Sequence, residues 1–274
     1  MSKFSTIISQ IIEDSPAGEI KEVYDDLIKI TGEDSKSIIL DAIEAYNVKN
    51  NLPIKVNGES VILSEYNKIG SKYYDPVNNK LFSVDHLNYT PLDIEPVDND
   101  DKINKLTPSL RGLLDALKEY AKKDYTGNVS VAVYPDNASS DNDSNKFEII
   151  IISDKYNLNN FWTGIWRSKY IYDPSLNNQL TGKIDLNVHY FEGGNVTFNS
   201  EKSFKEDNVN LSEILKTIKS FESDFEKQLD VSFNDLNEKK FKTLRRRLPV
   251  SRARVNWGSS MGNYRLGKNA AENK

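Results

Sequence analysis

Apolar residues in the first fifty positions recur at three- and four-residue steps, the spacing of one helix face. Phe4, Ile7, Ile8, Ile11 and Ile12 form the first stripe. The Ser15-Pro16 pair after it reads as N-cap and first residue of a second helix. That helix gathers Ile20, Val23, Tyr24, Leu27 and Ile28 on one face and stops at Gly32. A third, opening near Asp34 or Ser35, aligns Ile38, Ile39, Ala42, Ile43 and Tyr46, so residues 1–50 predict a three-helix bundle. Short β-prone pieces follow at 54–56, 61–63 and 81–84, with turn signals at Asn57-Gly58 and Asp75-Pro76. The stretch DIEPVDNDD at 93–101 reads as a solvated linker closing a small β region over 51–104. From Thr107-Pro108 a helix runs to about Lys123, with Leu110, Leu113, Leu114 and Leu117 inward.

The period then changes. Segments 129–134, 146–152, 161–172, 183–191 and 195–204 read as five strands, clearest where KIDLNVHYF alternates polar and apolar. Their connections are short, which makes neighbours antiparallel and the sheet a meander. Together with the helix before it, this sheet occupies 105–206. A single stripe from Leu211 through Ile214, Leu215, Ile218, Phe221, Phe225, Leu229, Phe233 and Leu236 then predicts a long helix within 207–248, ended by Pro249. Between Leu211 and Leu244 it would span roughly 50 Å. Five strands are only ~24 Å wide, and a ten-residue strand is ~33 Å long. The apolar stripe therefore outruns its own sheet; a partner subunit, a bend or a coiled-coil tail would cover the remainder. The fold class expected is α+β: a helical bundle, a small β region, a five-stranded antiparallel meander under a long helix, and a C-terminal tail over 249–274.

Composition narrows the chemistry. The 274 residues include no cysteine and only two histidines, His86 and His189, which excludes disulfides and thiolate catalysis. No Walker loop, dinucleotide fingerprint or cofactor motif occurs, and no apolar run is long enough for a membrane span. The N-terminal run alternates polar and apolar residues and reaches an acidic pair by position 14, unlike a secretory signal. A calcium loop beginning at Asp141 fails because Lys146 stands where Gly is needed and Ile152 where a bidentate Glu is needed. No carboxylate pair is isolated among apolar neighbours, so the chain reads as a non-enzyme without metal or cofactor. Trp162, Trp166, Tyr170 and Tyr172 share one strand face, as core under the long helix or as a stacking platform for single-stranded nucleic acid.

Charge changes the picture most. Residues 239–268, KKFKTLRRRLPVSRARVNWGSSMGNYRLGK, carry ten Lys or Arg and no acid. The rest of the chain holds 26 basic against 41 acidic residues, a net of −15 beneath a total of −5. Such an arm is suited to a negative surface. Lys242 and Arg246 are four apart and share a helix face, with Arg245 beside them. Pro249 ends the helix and lets Arg252 and Arg254 turn back toward them. Guanidinium forks bind carboxylates bidentately. Helix-end cations also complement the macrodipole, but seven basic residues between Lys239 and Arg252 exceed that need. Farther on, Trp257, Met261 and Tyr264 form an apolar stripe if helical, flanked by Val255 and Leu266. Gly258 and Gly262 each cost about 1 kcal/mol in a helix, so the tail is expected to be mobile when free and to order on docking.

Several segments resemble the alpha subunit family of F-actin capping protein. FKTLRRRLP at 241–249, followed by Val250-Ser251-Arg252, is similar to that family's C-terminal signature. VHYFEGGNV at 188–196 resembles its VHYYEDGNV hairpin, with Gly193 where the family carries Asp. FWTGIWRS at 161–168, YDPVNNKLFSVDH at 74–86 and SPAGEIKEVYDD at 15–26 add further likenesses, so the resemblance spans nearly the whole chain. It implies an obligate heterodimer in which alpha and beta subunits share one antiparallel sheet under two long helices. It also implies calcium-independent binding to the barbed end of actin filaments, with subunit exchange blocked there. Lys242, Arg246 and Arg252 match the family's basic patch, and the segment carrying Trp257, Met261, Tyr264 and Leu266 matches its amphipathic tentacle. The compartment implied is the cytoplasm and its actin cytoskeleton, cortical patches included. Regulation by phosphoinositides is permitted by the same resemblance, while nucleic acid is not an expected partner. From residue chemistry alone, a nucleic-acid or anionic-lipid module using the basic segment is the competing reading.

Overall fold

The computed structural model describes residues 3–16, 18–97, 103–137, 145–157, 159, 161–191 and 196–235. Its chain divides into two compact units, Met1–Phe221 and Glu222–Lys274. In the first unit the N-terminal stripes become α1 (Lys3–Glu13), α2 (Ile20–Thr31) and α3 (Lys36–Lys49). Ile8 and Ile12, Ile20 and Leu27, and Ile39, Ala42 and Ile43 meet in one dry cluster, which is the burial that stabilises short helices. Gly32, at φ +82, ends α2 as expected. Ser15-Pro16 does not start that helix. Ser15 Oγ instead donates to the Ile11 carbonyl at 2.8 Å, closing α1. Gly18 turns the chain at φ +86 with Tyr156 lying against it, and α2 opens at Ile20 behind Glu19.

The small β region holds more strands than its spacing suggested. β1 (Pro53–Val56) and β2 (Glu59–Ile62) form a hairpin through Asn57 and Gly58, both at positive φ. A four-stranded sheet follows in sequence order: β3 (Lys68–Ile69), β4 (Lys72–Asp75), β5 (Lys80–Asp85) and β6 (Thr90–Pro96). Asp75 builds the β4–β5 turn by accepting from the Val77 and Asn78 amides. The expected linker is overturned in its first part, because Asp93–Glu95 belong to β6. That strand occupies the sheet edge, where proline is tolerated, and Asp93 takes φ +49 where the register with β5 shifts. Residues 98–101 of the linker lie outside the described residues.

Thr107 caps α4 (Pro108–Asp124), its side chain accepting from the Leu110 amide. The meander is as expected, in order β11-β10-β9-β8-β7, with every neighbour antiparallel. Its strands are β7 (Asn128–Pro135), β8 (Phe147–Asn157), β9 (Trp162–Asp173), β10 (Gln179–Tyr190) and β11 (Val196–Glu206). One face buries Ala132, Tyr134, Ile150, Ile152 and Ile165 against Ile62 of β2. Tyr134 ties this contact by donating to the Ile62 carbonyl at 2.7 Å and accepting its amide at 3.0 Å. The opposite face carries Val131, Val133, Ile149, Ile151, Trp166, Tyr170 and Ile184, and α4 packs there against β7. α5 (Ile214–Asp235) begins on that face: Ile214 and Ile218 are buried, and Phe221 stacks on Tyr170 and Phe204. The aromatic face is thus occupied by helix packing. In the second unit, Glu222–Asp235 continue α5. The expected extension of α5 to Leu248 lies outside the described residues.

Candidate functional site

All nine residues expected to form the binding site, Lys242, Arg245, Arg246, Arg252, Arg254, Trp257, Met261, Tyr264 and Leu266, lie outside the described residues. The described residues supply the base from which that segment departs. Several of their cations are paired with carboxylates. Arg167 Nη2 is 2.7 Å from Asp185, Lys183 Nζ 2.7 Å from Glu201, and Lys68 Nζ 3.1 Å from Glu44. Lys169 reaches the fully buried Glu148 at 2.6 Å, and Ser64 Oγ donates to the same carboxylate. A groove of about 780 Å³ between α1, α3 and the sheet is lined by Glu13, Lys49, Arg167, Lys183, Asp185 and Glu201. Its Lys49, Arg167 and Lys183 each face one of these carboxylates. The segment 239–268, by contrast, contains ten cations and no carboxylate of its own.

The two histidines are tied into joints. His189, read from sequence as an ordinary strand residue on a polar face, is buried with Nδ1 2.7 Å from Glu19 Oε1. Its ring stacks on Phe191 at 5.2 Å. This pair pins the start of α2 to β10 across 170 positions, a separation that periodicity could not bridge. His86 is held by Asn47, whose amide donates to the His86 carbonyl at 2.8 Å. Burial pushes the His86 imidazole below its ordinary value. Among the described residues no group of three or more His, Asp or Glu is placed to hold a metal ion. No helix among them is long and apolar enough to cross a membrane.

Among the described residues, apolar side chains reach the surface in two places. α1 buries Ile8 and Ile12 but leaves Phe4, Ile7 and Ile11 exposed by 40%, 55% and 42%. On the helix-bearing sheet face, Leu186, Val188 and Phe198 remain half-buried and Tyr190 is exposed. Among the described residues β11 forms an edge of the sheet, beside β10.

The described residues thus form a helical bundle joined to antiparallel sheets, with several cations paired to carboxylates, and the sequence adds a basic segment at 239–268. Comparison with known proteins gives the family. The sequence model described as F-actin capping protein alpha subunit matches residues 8–269, which includes every expected site position. The chain is 56% identical over 274 residues to the F-actin-capping protein subunit alpha of Saccharomyces cerevisiae, covering 100% of this chain and 99% of that protein. It is 49% identical over 271 residues to that of Candida glabrata, covering 99% and 98%. Among solved structures, the homodimeric actin capping protein alpha subunit from Plasmodium berghei shares the fold, with a TM-score of 0.72 at 24% identity over 92% of this chain and 99% of that one. The chain belongs to the F-actin capping protein alpha subunit family.

Proposed function

We propose that this chain, paired with a capping protein beta subunit, binds the barbed end of actin filaments without calcium and blocks subunit gain and loss there. The observation that carries this reading is the family match, which runs unbroken through the basic segment. Lys242, Arg245, Arg246, Arg252 and Arg254 supply the charge that draws the complex to an acidic filament end. Trp257, Met261, Tyr264 and Leu266 supply the apolar grip that slows its release. The exposed stripe of α1 supports an obligate partner, because contiguous exposed apolar side chains mark interaction surfaces. The site of action is the cytoplasmic actin cytoskeleton, with cortical patches as its finer location.

The test is co-expression with a beta subunit and elongation of actin from stabilised seeds. The wild-type complex is expected to stop fast-end growth at nanomolar concentration. Replacing Lys242, Arg246 and Arg252 by Ala should slow association by about tenfold or more, with a weaker salt dependence. Capping unchanged by the triple substitution rejects the patch, and continued growth with wild-type complex in excess rejects the function.

A further inference from the structure

The helical bundle passes into the rest of the chain through one covalent connection, residues 50–52 between α3 and β1. Around that connection it is fastened to the small β region. Asn51, at φ +52, donates to the Leu63 carbonyl at 3.0 Å, and Asn47 donates to the His86 carbonyl at 2.8 Å. Val48 shares a buried cluster with Val56 and Phe82. The meander is met differently. A groove of about 780 Å³ has Glu13 and Lys49 of the bundle on one wall and Arg167, Lys183 and Glu201 of the sheet on the other. From the turn before α2, Glu19 Oε1 reaches His189 Nδ1 of β10 at 2.7 Å. Gly18, at φ +86, lies against the Tyr156 ring of β8, where an added Cβ would stand 3.1 Å from Cδ1. An ionised carboxylate can only accept, so Nδ1–H donates to Glu19. His189 stacks on Phe191, which meets Phe161 edge-on at 5.7 Å, and these rings fix the imidazole plane. Burial pushes up the phenols of Tyr46 on α3, Tyr89 in the β5–β6 turn and Tyr156 on β8, so the place where the three parts meet is largely dry. A charge-assisted hydrogen bond is strong in such surroundings.

We infer that Glu19 and His189 form a latch between the bundle and the meander: the bundle pivots at residues 50–52, and this pair holds it at one angle to the sheet. Hinges are a few connecting residues that absorb a change in φ and ψ, and the segment between α3 and β1 is of that kind. The pivot stays attached whether the latch is closed or open, since Asn51 and Asn47 bond to the small β region and not to the meander. Apolar packing follows the same division. Val48 and Leu87 join the bundle to the small β region, and Ile62 joins that region to the meander. The consequence is for assembly, because α1 carries the exposed Phe4, Ile7 and Ile11 on the pivoting body. This inference rests on the proposed pairing with a beta subunit, one that meets the α1 stripe and the sheet at once. A latched bundle offers its stripe in one place relative to the sheet, so binding is spared the cost of ordering it.

The experiment pairs the chain with a cysteine-free beta subunit and compares Glu19→Ala, His189→Ala and Glu19→Gln. Spin labels on Asp25→Cys of α2 and Lys123→Cys of α4, exposed positions in a chain without native cysteine, report the angle. Subunit exchange reports the strength of assembly. Glu19→Ala and His189→Ala are expected to broaden the distance distribution and to speed dissociation about tenfold, with the double variant no worse than either alone. Glu19→Gln keeps an acceptor for Nδ1–H and should hold both readings near wild type. Glu13→Ala, which breaks the exposed pair with Lys49 inside the bundle, should change neither reading. The Glu19 side chain is 23% exposed, so Glu19→Ala leaves little void and carries the test should His189→Ala fail to fold. If either reading stays at wild type in the alanine variants, the latch is overturned while the pairing stands. If the wild-type chain does not join a beta subunit, the pairing fails and the latch loses its role with it.

Discussion

His86 and Asp154 are both displaced by burial, and their effects on stability run in opposite directions. Burial disfavours the charged imidazolium, with Lys68 adding to the depression and Glu44 and Asp85 opposing it. Tyr73 covers the ring edge-on at 6.0 Å. A depressed histidine means that the unfolded chain takes up the proton first, so stability is intact above about 6.5 and is lost as the pH falls below it. Thermal melts of the complex should show a lower melting temperature at acid pH, and His86→Gln should flatten that decline. Asp154 is pushed above its ordinary value by desolvation, against a hydrogen bond from Asn128, and its Oδ1 is buried without a partner. Its charge costs stability at neutral pH, and the cost recedes as acid neutralises it. Asp154→Asn should therefore raise the melting temperature at pH 7 and make no difference near pH 4. A drop at neutral pH would mean that the carboxylate has a partner that Asn cannot replace.

Elements with several turns or several alternations could be read directly from the chain, because their burial repeats at their own period. α1, α3, α4 and the five strands of the meander fall within a few residues of where their stripes placed them. Elements fixed by a single distant contact could not. β3 has two residues and no alternation to detect, while β6 is exposed along nearly its whole length and bounded by prolines. Two hydroxyl–proline pairs, Ser15-Pro16 and Thr107-Pro108, look alike in sequence and fold differently. Thr107 Oγ1 accepts from the Leu110 amide and begins a helix, whereas Ser15 Oγ donates backward to Ile11 and ends one. Gly18 decides the second case by turning the chain before a helix can start. Thr107→Ala should cost about 1 kcal/mol, the worth of an N-cap. Ser15→Ala should cost only a few tenths, since an exposed hydroxyl bonded to a carbonyl competes with water. Denaturant melts of the two variants would separate a true cap from its imitation.

At the scale of the molecule, what the sequence could say of the site was its charge and its apolar stripe; what it could not say was how much of the body is left open. Ten cations without an acid announce a binding arm from composition alone. That α1 buries two of its isoleucines and exposes the other two emerges only once α2 and α3 are in place. Ile7 and Ile11 lie one turn apart, on the face turned away from the core formed by Ile8 and Ile12. Each side chain is about half exposed, so covering both gains on the order of 1 kcal/mol apiece, and a contact of that kind needs many such residues to hold. Charges in the same place act far more strongly, because an unpaired carboxylate buried in a dry interface loses its hydration with nothing in return. Ile7→Asp with Ile11→Asp should accordingly leave the chain's own helical core intact and abolish assembly with a beta subunit. Light scattering on the co-expressed pair should then give two separate chains in place of one complex, with helical circular dichroism preserved. A full yield of heterodimer carrying both aspartates would mean that the partner covers some other surface, and the half-buried face of β10 and β11 would be the place to substitute next.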